Sequence, residues 1–164
     1  MNSPPCWKPG RPRGPPAKRK KRAEPMSFKI TTDTGDAGLT AQAATPGYLL
    51  ADLAAGFAAL TCGGAIEERT ARNISLKAES PESLAVNFLN ELVFLADTEG
   101  FIAAAASVSA SFKPGACELT AALLGETLAF ERHQRGLLVK AATYHGLKIE
   151  RAGGLWRAAI VLDI

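Results

Sequence analysis

The stretch that most constrains the fold is the C-terminal run from Leu137 to Ile164, LLVKAATYHGLKIERAGGLWRAAIVLDI. Two alternating β-type segments, Val139 to Ile149 and Trp156 to Asp163, flank Arg151, Ala152, Gly153 and Gly154. That pattern predicts a hairpin closed by a glycine turn. In the second segment Ile160 and Leu162 share one face and Val161 takes the other. Asp163 and Ile164 then set a side-chain carboxylate and the α-carboxylate one residue apart. Terminal residues usually fray, but here the apolar alternation runs to the last residue, which predicts a terminus tied into a sheet.

Upstream, Ser27 to Thr32 reads as a short strand with Phe28 and Ile30 on one face, and Asp33 to Leu39 as a turn or an irregular strand edge, because it mixes glycines with short polar side chains. Thr45 to Leu60 predicts a helix, with Thr45 as N-cap and Pro46 at the first helical position. Leu49, Leu53, Phe57 and Leu60 form its apolar side, and Cys62, Gly63 and Gly64 end it. Arg69 to Ala78 alternates as a strand. Ser80, Pro81 and Glu82 then open a second helix, whose stripe is Leu84, Phe88, Leu92 and Leu95. Phe101 to Leu128 contains two β-type pieces broken at Lys113, Pro114 and Gly115. Ala103 to Ala106 favour helix by propensity, yet the two turn signals in this stretch favour strands. The expected class is α+β, a largely antiparallel sheet covered by two or three helices.

Charge divides the chain in two. Residues 1 to 25 carry eight Lys and Arg against the single Glu24, a net of +7, and the 11 basic and 15 acidic residues that remain leave residues 26 to 164 at −4. The overall +3 therefore says little about the folded part. The tail, rich in proline, glycine and like charge, is expected to be disordered, as a solvated extension, a polyphosphate-seeking arm or a localisation signal. Met26 is an alternative start. Cys6, Cys62 and Cys117 are odd in number and far apart, which suggests neither a disulfide framework nor a zinc ribbon and fits a reduced, cytoplasmic setting. No apolar run reaches the ~18 to 20 residues that span a bilayer. The sequence shows no G-x-S-x-G, H-E-x-x-H, P-loop or dinucleotide fingerprint. His133 and His145 are its two histidines, and neither has a nucleophile beside it.

The words VKAATYHGLKIE and AAIVLDI resemble the C-terminal signature of archease, the accessory protein of RtcB-type RNA ligases. TTDTGDAGL (Thr31 to Leu39), NFLNELVFLADTE (Asn87 to Glu99) and FERHQRG (Phe130 to Gly136) agree with it, in order, across Met26 to Ile164. The resemblance implies a domain over 26–164 with a strand-helix-strand-strand module. It also implies a non-catalytic protein cofactor that promotes guanylylation and repeated turnover of such a ligase in tRNA splicing or RNA repair. Its partner would be the ligase, with RNA met only through it and neither DNA nor membrane involved. The family segment usually reads D-H-T-A-D-x-G; this chain has Asp33 for the histidine and Gly35 for the alanine, and keeps the second aspartate as Asp36.

By the same resemblance Asp36, Asp163 and the terminal residue Ile164 are metal ligands, with calcium the implied ion and magnesium or manganese also possible. The chemistry is sound. Carboxylates 4 Å apart repel by about 4 kcal/mol per pair at an effective dielectric near 20, which a cation would offset, and oxygen donors select a hard ion. From spacing alone, Asp36 reads instead as a turn residue and Asp163 as a solvated strand end, since residues 127 apart give no local signal of proximity; the resemblance reverses that reading. Two other functions stay open from the residues: a metal-dependent phosphoesterase using the same cluster, and an RNA-binding or chaperone module acting through the basic tail.

Overall fold

Residues 25–164 are described by the computed structural model; the expected disordered tail, residues 1 to 25, lies outside them apart from Pro25, as does any RNA-binding role carried by that tail. The C-terminal hairpin forms as the alternation requires. Strand β8 (Ala141–Ala152) and strand β9 (Leu155–Asp163) pair antiparallel, and Gly153 and Gly154 turn between them at φ 60° and 80°. Such positive values suit a two-residue hairpin loop and cost glycine little. A bulge between Thr143 and Lys148 interrupts the pairing.

β9 is an interior strand. On its other side it pairs with β2 (Asp36–Ala43), which pairs in turn with β1 (Phe28–Asp33), giving a four-stranded antiparallel sheet in the order β1-β2-β9-β8. Here the expectation of a turn or irregular edge over Asp33 to Leu39 needs correcting. Only Thr34 and Gly35 turn, and Asp36 begins a regular strand whose Ala37, Leu39, Ala41 and Ala43 are all buried. Three of those four inward residues are alanine, so the period-two apolar signal was weak although the packing is tight.

Helix α1 (Pro46–Thr61) starts where Thr45 Oγ1 accepts the Tyr48 amide at 3.2 Å. The short strand β3 (Cys62–Gly63) follows it. β4 (Thr70–Ala78), α2 (Pro81–Glu99), β5 (Phe101–Ser111) and β6 (Cys117–Thr127) then form the strand-helix-strand-strand module, with a three-stranded antiparallel sheet in the order β4-β6-β5. Ser80 Oγ caps α2 through the Ser83 amide, and Gly100, at φ 63°, ends it. The alanines of β5 stay extended because pairing with β6 overrides their helix preference, with a register shift between Ala103 and Ala105. β7 (Gln134–Arg135) pairs with β3 as a two-residue ribbon. The β structure is thus divided between two sheets and this ribbon rather than gathered into one sheet, and it is covered by two helices. Each helix packs on both sheets, α1 against β2 and β5 and α2 against β8 and β4. The buried core, including Leu39, Leu53, Phe88, Phe101, Leu123 and Ile160, lies between them; each large apolar side chain there contributes about 1.5–3 kcal/mol.

The first turn of α1 reaches the β5 backbone because position 47 has no side chain. A Cβ on Gly47 would sit 2.3 Å from the Val108 carbonyl oxygen, and main chain cannot step aside as a side-chain tip can. Gly47→Ala is therefore expected to destabilise the domain by about 1–3 kcal/mol in denaturant unfolding, against the roughly 1 kcal/mol that alanine gains in helix propensity. An unchanged or raised midpoint would show that α1 does not seat on β5 in this way.

Candidate functional site

Strand register assembles the three expected ligand positions at one end of the four-stranded sheet. Asp36 stands opposite Asp163 in the β2–β9 pair, and Asp33 stands opposite Asp36 in the β1–β2 pair. Directly opposed residues project from the same face with Cβ atoms about 4.5–5.5 Å apart, so the three aspartates form a row across three strands. Their face is the outer one, since the neighbours Ala37 and Leu162 point into the core. Ile164 continues β9 by one residue, and its amide donates to the Gly35 carbonyl at 3.1 Å. The terminus is bound into the sheet, as the alternation predicted.

Three contacts shape this end. Asp33 Oδ1 accepts the Thr34 amide at 2.7 Å, so this carboxylate, in the place of the family's histidine, closes the β1–β2 turn. Lys140 Nζ donates to a terminal oxygen of Ile164 at 3.1 Å, and the Lys140 amide donates to the Asp163 carbonyl at 2.8 Å. Among the described residues no three His, Cys, Asp or Glu side chains converge into a metal-binding group. The Ile164 α-carboxylate, one residue on from Asp163, offers further oxygen donors beside Asp36 and Asp163. The set is all oxygen, exposed or half-buried, with Lys140 its one cationic contact among the described residues, a donor chemistry that fits a hard divalent cation. Lys140 was missed in the sequence; its one signal was its place just ahead of the strand that pairs with the terminal one.

The other missed feature is a buried ionic cluster around Glu126. This carboxylate is 3% exposed at the end of β6. Its Oε1 accepts the Glu67 amide at 2.7 Å and lies 3.1 Å from His133 Nε2, and its Oε2 is bonded by the Arg132 guanidinium and lies 3.3 Å from Arg69 Nε. The Ala129 amide donates to His133 Nδ1 at 2.9 Å, which assigns the imidazole proton to Nε2, facing Glu126. His133 is thus a satisfied structural residue. His145 is exposed in the bulge of β8. Burial pushes the Cys62 and Cys117 thiols up, away from the reactive thiolate form.

The cluster also anchors the route to the acidic end. From His133 the chain runs through Gly136 and Leu137, whose amides donate to the Thr61 and Leu60 carbonyls at 3.0 and 2.8 Å, and so satisfies the last turn of α1. Three residues later comes Lys140. The Glu67 amide, then Arg132 and His133, hold the Glu126 carboxyl down at about 2, against the desolvation that opposes them. The folded value lies below the ordinary 4.5, so on acidification the unfolded chain takes up this proton first. The stabilisation from Glu126 is accordingly complete above about 4.5 and lost as pH falls toward 2. In urea unfolding at a series of pH values, Glu126→Gln should lower stability at neutral pH and flatten the loss between pH 4.5 and 2. A variant with the same acid slope as the parent would mean that Glu126 is not the group that titrates.

Comparison with known proteins follows the same outline. The family model described as Archease protein family (MTH1598/TM1083) matches residues 28–164. The archease of Pyrococcus furiosus is 39% identical over 100 residues, 60% of this chain and 70% of that protein. The archease of Pyrobaculum islandicum is 30% identical over 146 residues, 88% of this chain and 99% of that protein. Among solved structures, Methanobacterium thermoautotrophicum protein 1598 superposes with a TM-score of 0.70 at 27% identity, over 84% of this chain and 99% of that one. A Thermotoga maritima protein described as an archease and possible chaperone shares the fold, with a TM-score of 0.53 at 18% identity over 89% of this chain and 100% of that one.

Proposed function

Because the chain belongs to the archease family over residues 28–164, we propose that it is a protein cofactor of an RtcB-type RNA ligase. In this role it promotes guanylylation of the ligase's catalytic histidine, so that the ligase turns over repeatedly in tRNA splicing or RNA repair. The observation that carries the reading is the register setting Asp36 directly opposite Asp163, with Ile164 fastened to Gly35 beside them. These are the positions that the family resemblance assigns to metal.

Asp36, Asp163 and the Ile164 carboxylate would hold a divalent cation, calcium by resemblance or else magnesium or manganese. When bound, such an ion supplies positive charge that offsets phosphate charge during nucleotide transfer. The chain's own part is positional. Pairing of β2 with β9 fixes the two side chains on a rigid sheet end, and Lys140 restrains the terminal carboxylate that would otherwise fray. The acidic end would meet the ligase near its nucleotide. In this reading the protein works as an accessory factor in the cytoplasm and not as a catalyst. Among the described residues no helix is long and apolar enough to cross a membrane.

The test is multiple-turnover ligation by the cognate RtcB-type ligase with GTP and manganese, with this protein added substoichiometrically. The parent chain should convert a near-single-turnover reaction into a repeating one. Asp36→Ala and Asp163→Ala should each reduce that stimulation by at least about tenfold while leaving thermal unfolding nearly unchanged, since each removes one of several like charges at an exposed sheet end. Full stimulation by either variant would refute the metal-site mechanism. No stimulation by the parent with an active ligase would refute the cofactor role, and assays on generic phosphoesters would then come first.

A further inference from the structure

The outer face of the four-stranded sheet changes character away from its acidic end. Four residues along β2 from Asp36, and four back along β9 from Asp163, the register sets Lys29, Thr40, Ala159 and Lys148 in one row across all four strands. The even spacing keeps this row on the same outward face as the aspartates. In the next row Arg157 stands between Gln42 and Glu150. Thr40 and Ala159 are short, and between the longer side chains around them lies an open depression of about 310 Å³.

Three cations, Lys29, Lys148 and Arg157, line this depression against one carboxylate, Glu150. Glu150 is bonded to Lys148 at 2.7 Å, and its carboxyl is held low first by Lys148 and then by Arg157. Lys29 and Arg157 have no carboxylate within ion-pair distance among the described residues. The net of −4 over residues 26 to 164 thus conceals a local excess of positive charge on a sheet face that no described element covers.

We propose that this face binds the phosphodiester backbone of RNA directly, through Lys29, Lys148 and Arg157. The inference goes beyond the cofactor role, in which RNA is met only through the ligase, and it requires no ligase. Three features select this ligand. Strands about 4.8 Å apart put the Cα atoms of Lys29 and Lys148 about 14 Å apart, which is wider than one phosphate group and suits a run of them. The outward positions of both rows carry no aromatic residue, and Phe28, the aromatic residue that lines the depression, is half-buried against the core, so contact is phosphate-led and tolerant of sequence. They also carry no large apolar side chain, which a protein partner would need at the centre of an interface.

The experiment uses the full chain and a labelled single-stranded RNA, titrated over a series of KCl concentrations. Lys29→Ala/Lys148→Ala/Arg157→Ala is compared with Lys77→Ala/Lys113→Ala/Arg135→Ala, which removes the same charge from exposed positions elsewhere and leaves the basic tail intact. The face variant should bind at least about tenfold more weakly at low salt. Its slope of log affinity against log salt should be shallower by about 2, because each phosphate neutralised on a single strand adds ~0.7 to the slope and the variant gives up three cations. The control should keep the parent slope. Glu150→Gln, which frees Lys148, should tighten binding several-fold, a gain that misfolding cannot produce. Equal weakening in both triple variants, or none in the face variant, would overturn the proposal. Displacement of the RNA by GTP as effectively as by unlabelled RNA at equal phosphate concentration would also overturn it, because the site would then recognise an isolated phosphate group.

Discussion

The pairing of β9 with β2 is the contact on which the rest depends. It inserts the last strand between β2 and β8, so that β1 and β2 join β8 and β9 in one sheet. It buries Ile160 and Leu162 beside Ala37 and Leu39, and its register sets Asp36 against Asp163. A slip of one residue would turn the apolar set outward and the carboxylates inward. The same hydrophobic alternation that specifies the core therefore specifies which charges meet at the sheet end. That end costs electrostatic energy, which Lys140 or a bound cation would offset.

Around this sheet the molecule is held by a small number of satisfied polar contacts. Asn90 on α2 accepts the Ala142 amide at 2.8 Å and fixes the helix to the start of β8. Glu126, with His133, Arg132 and Arg69, closes the loop after β6 onto the end of α1. A buried carboxylate is tolerated there because a backbone amide, two guanidinium groups and the His133 imidazole surround it. The first contact lies at the start of β8, and the second holds the chain that leads through Gly136 and Leu137 toward Lys140. Among the described residues no element packs over the outer sheet face, and the side chains of its charged rows are exposed.

Much of this was legible in the residues. Caps at Thr45 and Ser80, the prolines that follow them and the glycine turn at 153–154 are local signals, and each element lies where they put it. The resemblance carried in TTDTGDAGL and AAIVLDI named Asp36, Asp163 and Ile164, which spacing alone could not bring together; strand pairing sets the first two opposite each other. What escaped was of two kinds. β2 was hidden because alanine marks an inward position only faintly. The Glu126–His133 cluster, the Lys140 contact and the Lys29–Lys148 row depend on pairings between distant segments, and no local pattern announces which charges a sheet will align.

Divalent-cation binding measured by calorimetry as a double-mutant cycle over Asp36→Asn and Asp163→Asn tests the central claim most directly, because it asks whether residues from the two ends of the domain act as one site. Each single variant should lose most of the affinity, and the double variant should lose little more, with a coupling of at least about 1 kcal/mol. Losses that simply add, or a parent chain that binds no cation, would contradict the assembly of Asp36, Asp163 and the Ile164 carboxylate into one metal site.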